Sequence, residues 1–287
     1  MSSAATAPGY PDVLRLVAPN PGPMTLAGTN TYLVGRDPAH VIDPGPADAG
    51  HVAAIRAAAR PRGGVGSVLL THSHSDHTEG VGILDAPILW GEVGHGDETS
   101  VAAAGPVAGS PAPGLPARES GFREPDIPAP PAERRIGEFT VIPTPGHAED
   151  HVCLLREDVC FCGDLVLGEG SSIVPPRAMG GSLRDYMSSL ARLAALIEER
   201  EISLMCPGHG PWILNPAGRI AEYREHRLAR ERALVEALEG GERSRECLLD
   251  AAWRDVPGPM RPAAAVAMQA HLEKLADEGR LPPDLRE

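Results

Sequence analysis

Within the run Thr71-His72-Ser73-His74-Ser75-Asp76-His77 the sequence gathers three imidazoles and a carboxylate. Neutral imidazole and carboxylate are nitrogen and oxygen donors that suit zinc, which takes them at roughly 2 Å. A polar loop that happens to hold histidines is the plainer reading of such a run. Three further donors recur downstream, each behind a glycine: His147 after Pro145-Gly146, Asp164 after Gly163, and His209 after Pro207-Gly208. Singly, each suits a structural role. Jointly, His72, His74, Asp76, His77, His147, Asp164 and His209 are enough ligands for two metal sites. Two divalent ions close together lower the pKa of a shared water and polarise an electrophilic oxygen, so hydrolysis follows without a nucleophilic Ser or Cys. Asp76 is also a candidate proton relay, and no leaving-group acid stands out.

Such donors need a common frame. Apolar or alternating runs at 31–34, 40–42, 65–70, 87–90, 139–142, 152–155, 159–162 and 203–206, bounded by Gly, Pro and Asp, predict strands. The cluster at 72–77 and the donors His147, Asp164 and His209 each lie just beyond one of them. If those strands share a sheet end, four loops converge where α/β proteins place their sites. Helices are predicted at 47–60 and at 182–200; the second opens on Ser182 and Asp185 and repeats Leu183, Met187, Leu190, Ala194 and Ile197 at helical spacing. Strands mixed with helices predict an α/β architecture with helices over the sheet faces. Residues 102–131, dominated by Pro, Ala and Gly, predict a long irregular excursion that could serve as a lid. A charged helix at 218–239, with Arg227/Glu231 and Arg232/Glu236 at i,i+4 spacing, then leads to short helices at 243–254 and 263–279. Ala265, Met268, Leu272 and Leu275 form one face of the last, so a catalytic unit at 1–217 and a helical unit at 218–287 are expected.

His-x-His-x-Asp-His, Thr-Pro-Gly-His, Gly-Asp and Pro-Gly-His-Gly resemble, in order and spacing, the motifs of the metallo-β-lactamase superfamily. Further stretches, among them Gly28-Thr29-Asn30-Thr31-Tyr32-Leu33, Ile42-Asp43-Pro44-Gly45-Pro46 and Asp185-Tyr186-Met187, resemble its branch called β-lactamase-like protein 2 across nearly the whole chain. The resemblance implies an αββα sandwich with a winged-helix-like C-terminal domain and two zinc ions per chain. By position it puts His72, His74 and His147 on the first metal, Asp76, His77 and His209 on the second, and Asp164 between them, with a bridging hydroxide as nucleophile. That branch includes endonucleases of single-stranded RNA. The alternative is a thioester or acyl hydrolase of the glyoxalase II type, although the stretch 165–171 departs from that pattern. Secreted β-lactamases of this fold usually carry Cys or Ser in place of the bridging aspartate, which Asp164 argues against. A diiron redox role would want a flavin domain, and none is visible.

With 39 acidic and 26 basic residues, the surface offers no broad footprint for polyanions, so RNA would need a local positive site. A DNA-reading regulator is disfavoured because residues 263–279 carry no basic stripe, and packing on the catalytic unit is the expected use of this segment. The five cysteines, odd in number and without metal or redox spacing, are expected to be reduced; Cys160 and Cys162, two apart in a strand, should point to one face as small buried hydrophobes. Residues 1–22 lack a basic region followed by an apolar stretch, and no run approaches a membrane span, so a cytoplasmic location is expected. His151 reads as support for the His147 loop, Thr29 and Asn30 as turn residues or metal-facing ones, and His95 as a loop histidine.

Overall fold

Period-two burial organises the molecule. In strand β3, Asn30–Val34, Tyr32 and Val34 point into one apolar cluster while Leu33 points into another. That strand is covered on both faces, which is what a middle layer requires. The computed structural model describes residues 3–90 and 132–285. The whole excursion expected at 102–131 and His95 lie outside the described residues.

One sheet has the order β1 (Ser3–Ala7), β2 (Tyr10–Val17), β3, β4 (Ala39–Ile42), β5 (Val65–Leu69), β6 (Ile88–Trp90). The other runs from β11 (Leu204–Pro207) through β10 (Val159–Gly163), β9 (Val152–Arg156) and β8 (Phe139–Pro143) to β7 (Arg134–Ile136). Their inner faces meet through Val13, Tyr32, Ile42 and Leu69 from the first and Val141, Leu154, Phe161 and Cys206 from the second. Helix α1, Ala49–Ala59, covers the outside of the first sheet with Val52 and Ile55 against Leu33, Val41 and Val68. Helix α4, Leu183–Glu199, covers the second with Leu183, Leu190, Leu193 and Ile197 against Cys153, Leu155, Cys160 and Cys162. The architecture is therefore the αββα sandwich, and Cys160 and Cys162 do share one buried face. Ser182 caps α4 as expected, accepting from Asp185 N at 3.2 Å.

The eight predicted strands form to within a residue or so at each end, but β1, β2 and β7 were not foreseen. Ser-Ala-Ala-Thr-Ala has no apolar pattern, and β1 exists because it pairs with β2 from Ser3↔Val17 onwards. In the same way Arg-Arg-Ile of β7 is a strand because β8 pairs with it.

Two short helices, α2 (Ser75–Thr78) and α3 (Val81–Leu84), follow β5. After β11 the chain is helical: α5 (Pro216–Glu239), α6 (Arg245–Trp253) and α7 (Arg261–Asp277). Among the described residues no strand follows β11, so the C-terminal part is helical and shows no wing. Helix α5 serves two cores, with Ile220 and Tyr223 among the side chains under α4 and Leu234 and Leu238 among those of α6 and α7. Met268, Leu272 and Leu275 are buried there as predicted, with Ala265 packed beside them. The i,i+4 pairs predicted along α5 do not form. Glu231 is held by Lys274 and Arg280 at 2.8 Å each, Arg232 reaches Glu225, and Arg227 turns to a backbone carbonyl. For Arg227 and Glu231, partners from other elements displace the local ones because both side chains are buried, whereas Arg232 pairs within α5 on its exposed face.

Candidate metal centre

Strands β5, β8, β10 and β11 all deliver a donor just past their C-terminal ends. Strand β8 runs parallel to β10 through the antiparallel β9, and β10 pairs parallel with β11, so three of these ends lie on one edge of one sheet. The loops then pack tightly enough to demand glycine. At Gly208, before His209, a Cβ would lie 2.2 Å from Asp164 Oδ1 and 2.7 Å from His77 Cε1. At Gly146, before His147, φ is +136° and a Cβ would lie 2.3 Å from Tyr186 N.

All seven predicted residues come together. His72 Nε2 and His147 Nε2 each lie 3.0 Å from His74 Nδ1. His209 Nε2 lies 3.3 Å from Asp76 Oδ2 and 3.3 Å from Asp164 Oδ2, and His77 Nε2 lies 3.5 Å from Asp76 Oδ2. Asp164 touches both groups, with Oδ2 3.7 Å from His147 Nε2 and Oδ1 3.6 Å from His77 Nε2. Donors around one tetrahedral zinc at ~2 Å stand about 3.3 Å apart, close to these spacings.

What lies behind the imidazoles decides which nitrogen faces inward. His77 Nδ1 donates to Asp43 Oδ2 at 2.9 Å, His147 Nδ1 to the Ile173 carbonyl at 2.8 Å, and His209 Nδ1 to the Gly28 carbonyl at 3.3 Å. Thr71 Oγ1 donates to Asp43 Oδ2 at 2.7 Å, so it accepts from His72 Nδ1 at 3.0 Å. This network places the Nδ1 proton behind all four rings and turns Nε2 into the site, where it offers a lone pair whenever the ring is neutral. His72 and His147 then present two lone pairs to the single Nδ1 of His74, which can donate to one at most. His77 Nε2 and Asp164 Oδ1 are buried with no hydrogen-bond partner. Lone pairs and carboxylate oxygens facing one another in a buried space require positive charge between them, and the residues therefore fit a bound cation.

The electrostatics say the same. Burial disfavours the imidazolium of His209, but the charge of Asp164 and the hydrogen bonds to Asp164 and Asp76 push its pKa up to about 9. His77 goes well above the ordinary histidine range, the pull of Asp164 and Asp43 outweighing burial. Burial opposes ionisation of Asp164, yet His209 and His77 hold it well below the usual carboxylate range; Asp76, likewise opposed by burial, is held at about 2 by His209 and His77. On the other side burial dominates, taking His72 well below its ordinary value and His147 down to about 4.

The sequence pattern of the metallo-β-lactamase superfamily matches residues 24–209, a stretch that ends on the last of these histidines. The chain belongs to that superfamily. Its members are generally hydrolases. The β-lactamase-like protein 2 homolog of Drosophila melanogaster is 32% identical over 94% of this chain and 89% of its own. The thioesterase pkgB of Emericella nidulans is 35% identical over 79% of this chain and 58% of its own. A metallo-β-lactamase family protein of Thermus thermophilus has the same fold, with a TM-score of 0.65 at 24% identity over 95% of each chain.

In this metallo-β-lactamase fold the secondary assignments separate. Thr29 does face the centre, its Oγ1 donating to Asp76 Oδ2 at 3.1 Å. Asn30 does not; its Nδ2 bonds the Pro207 and Gly210 carbonyls, both at 2.9 Å, and so holds the His209 loop. His151 is buried behind His147, with Nδ1 on Thr144 Oγ1 at 2.9 Å, and burial and the charge of His147 push its pKa down to about 3. Asp43 escaped the sequence reading. It also accepts from Thr71 N at 2.8 Å; its legible signals are its place directly after a predicted strand and within the Ile42–Pro46 stretch that resembles the family.

Proposed function

We propose that this chain is a dinuclear zinc hydrolase whose substrate is a small acyl compound, a thioester foremost. The observation that carries the hydrolase reading is the convergence of seven donors, with Asp164 reaching both groups and four imidazoles locked with Nε2 inward. In this reading His72, His74 and His147 hold one ion, Asp76, His77 and His209 the other, and Asp164 both. Bound zinc supplies Lewis acidity toward an electrophilic oxygen and the power to activate water near neutral pH. The protein supplies rigidity. Asp43 and the Ile173 and Gly28 carbonyls fix the ligand tautomers, and the hydroxyl of Thr29 steadies Asp76. Asp76, half-buried and ionised, is in this reading also the candidate proton relay.

Two observations support the acyl substrate over single-stranded RNA. A relative 35% identical is a thioesterase, and 39 acidic against 26 basic residues offer little to a polyanion. The cytosol suits the five free cysteines, and no helix among the described residues is long and apolar enough to cross a membrane. Two apolar cores support a catalytic unit, 1–217, and a helical unit, 218–287, with Ile220, Tyr223 and Ala270 of the second packed in the core of the first.

The test is a parallel turnover screen of zinc-reconstituted protein on an acyl thioester, a lactone, a β-lactam and single-stranded RNA. Thioester turnover well above the other three is expected. Turnover of RNA alone would transfer the assignment to phosphodiester cleavage, and none on any of them would remove the hydrolase reading for these classes.

A further inference from the structure

Arg227, in the middle of α5, is 4% exposed, yet among the described residues no carboxylate lies within ion-pair distance of it. The acid one turn on, Glu231, is already taken by Lys274 and Arg280. Burying a guanidinium without a counter-charge is costly, so its remaining contacts have to account for its place. Its Nη2 donates to the Ser172 carbonyl, and its guanidinium lies 5.2 Å from the centre of the Tyr186 ring.

Ser172 is one residue from the metal centre's support. Its hydroxyl is 3.2 Å from His147 Nδ1, and the next carbonyl, that of Ile173, is the acceptor 2.8 Å from the same nitrogen. A second α5 side chain grips the same residue: Tyr223 Oη accepts from Ser172 N at 3.2 Å and from Leu167 N at 2.8 Å. Farther along, the two terminal nitrogens of Arg177 each lie 2.9 Å from an oxygen of Asp277, and its backbone N is 3.0 Å from Glu273 Oε2 on α7. Helices α5 and α7 thus hold both ends of the segment that orients His147.

We infer that Arg227 is a positioning residue for the metal centre, pinning the Ser172–Ile173 peptide so that His147 keeps its Nε2 lone pair on the ion shared with His72 and His74. The inference rests on the metal reading given under Proposed function. It makes the C-terminal helical unit part of the metal site, because the brace on His147 comes from the helix that joins the two units.

Arg227→Met and Arg227→Lys test it in the full chain, with Arg230→Met as control. Arg230 lies three residues on, pairs with Asp255 at 2.5 Å and sits 5.6 Å from the Trp253 ring centre, so its loss loosens the helical unit without touching Ser172. Zinc affinity is read by competition with a chromophoric chelator, and ligand geometry by the electronic spectrum of the cobalt(II) form. In Arg227→Met one of the two equivalents should weaken about ten- to hundredfold, the range seen when a ligand's supporting contact is removed. Its cobalt spectrum should change and the other equivalent should not. Arg227→Lys should show a smaller shift in the same direction, and it decides alone if the Met variant does not fold. Arg230→Met should lower thermal stability and leave both affinities unchanged. Wild-type affinity for both equivalents in the Arg227 variants, or an equal loss in Arg230→Met, overturns the inference alone. A wild-type chain that takes up no zinc overturns the metal reading and the inference together.

Discussion

Around His72 and His74 no described carboxylate comes within ion-pair distance, and His147 meets only Asp164, at 3.7 Å; His77 and His209 each face both Asp76 and Asp164 at 3.3 to 3.6 Å. The two halves of the centre are made of the same residue types and balance charge in opposite ways. At His72 and His147, burial strips the protons and leaves bare lone pairs. In the carboxylate half, acids hold protons on the imidazoles, and an incoming cation must displace them. Asp164 joins the halves. If each half takes an ion as proposed, the two should respond differently to pH although they share one end of the fold.

The largest expected effect breaks both halves at once. Asp164→Ala should drop the metal content of purified protein from about two ions per chain to below one and take turnover to background. Elemental analysis reads the first and the thioester assay the second; a variant that keeps both ions and full turnover would show that Asp164 does not bridge.

Separating the halves comes next. His147→Ala and His209→Ala should each lose about one equivalent of zinc and leave the other, because they stand in different donor groups. Loss of both equivalents in either variant would mean that the halves are not independent sites.

A subtler change sharpens the comparison from behind. Asp43→Asn keeps the shape beside His77 but removes the charge, and should weaken the carboxylate half by roughly ten- to hundredfold in zinc affinity and the imidazole half less, since Asp43 reaches His72 only through Thr71. Chelator competition with resolved steps reads it, and an equal loss in both steps counts against the assignment.

The pH dependence distinguishes the halves without mutation. Zinc binding at His209 should release a proton, so affinity there should rise with pH until about 9, whereas His147, deprotonated above about 4, gains little over the same range. Calorimetry in buffers of different ionisation enthalpy counts the protons released. In the metal-free protein the raised pKa of His209 gives stability that is complete below about 6.5 and lost as pH climbs through about 9. The lowered pKa of His147 has the opposite sign: stability is full above 6.5 and falls away as pH drops toward about 4. Thermal unfolding of the metal-free chain should therefore peak between these limits, and zinc should flatten the alkaline side. The smallest effect is expected from Thr29→Ala, which removes one hydrogen bond to Asp76, a loss of about 1 kcal/mol or less in binding at the carboxylate half.

How far the centre could be read in advance follows from how local each signal is. The cluster at 72–77 is visible because its donors are neighbours in the chain, and His147, Asp164 and His209 because each sits behind a glycine at the end of an apolar run. Strands such as 152–155 and 159–162 are visible because their side chains are buried on both faces, which writes continuous apolar runs into the sequence. Strands β1 and β7 carry no such signal, since their existence rests on backbone pairing with a neighbour rather than on side chains.

The sequence by itself thus determined the ligand types, the strand ends that carry them and the helices that cover the sheets, all properties of short windows with their own periodicity. Only the tertiary structure decided that Thr29 faces Asp76 while Asn30 holds the His209 loop, that Asp43 backs His77, and that Arg227 leaves Glu231 for the Ser172 carbonyl. Those outcomes depend on which polar groups are buried together from distant parts of the chain. A buried hydrogen bond is settled by the partner that removes the larger desolvation cost, and no local pattern encodes that partner.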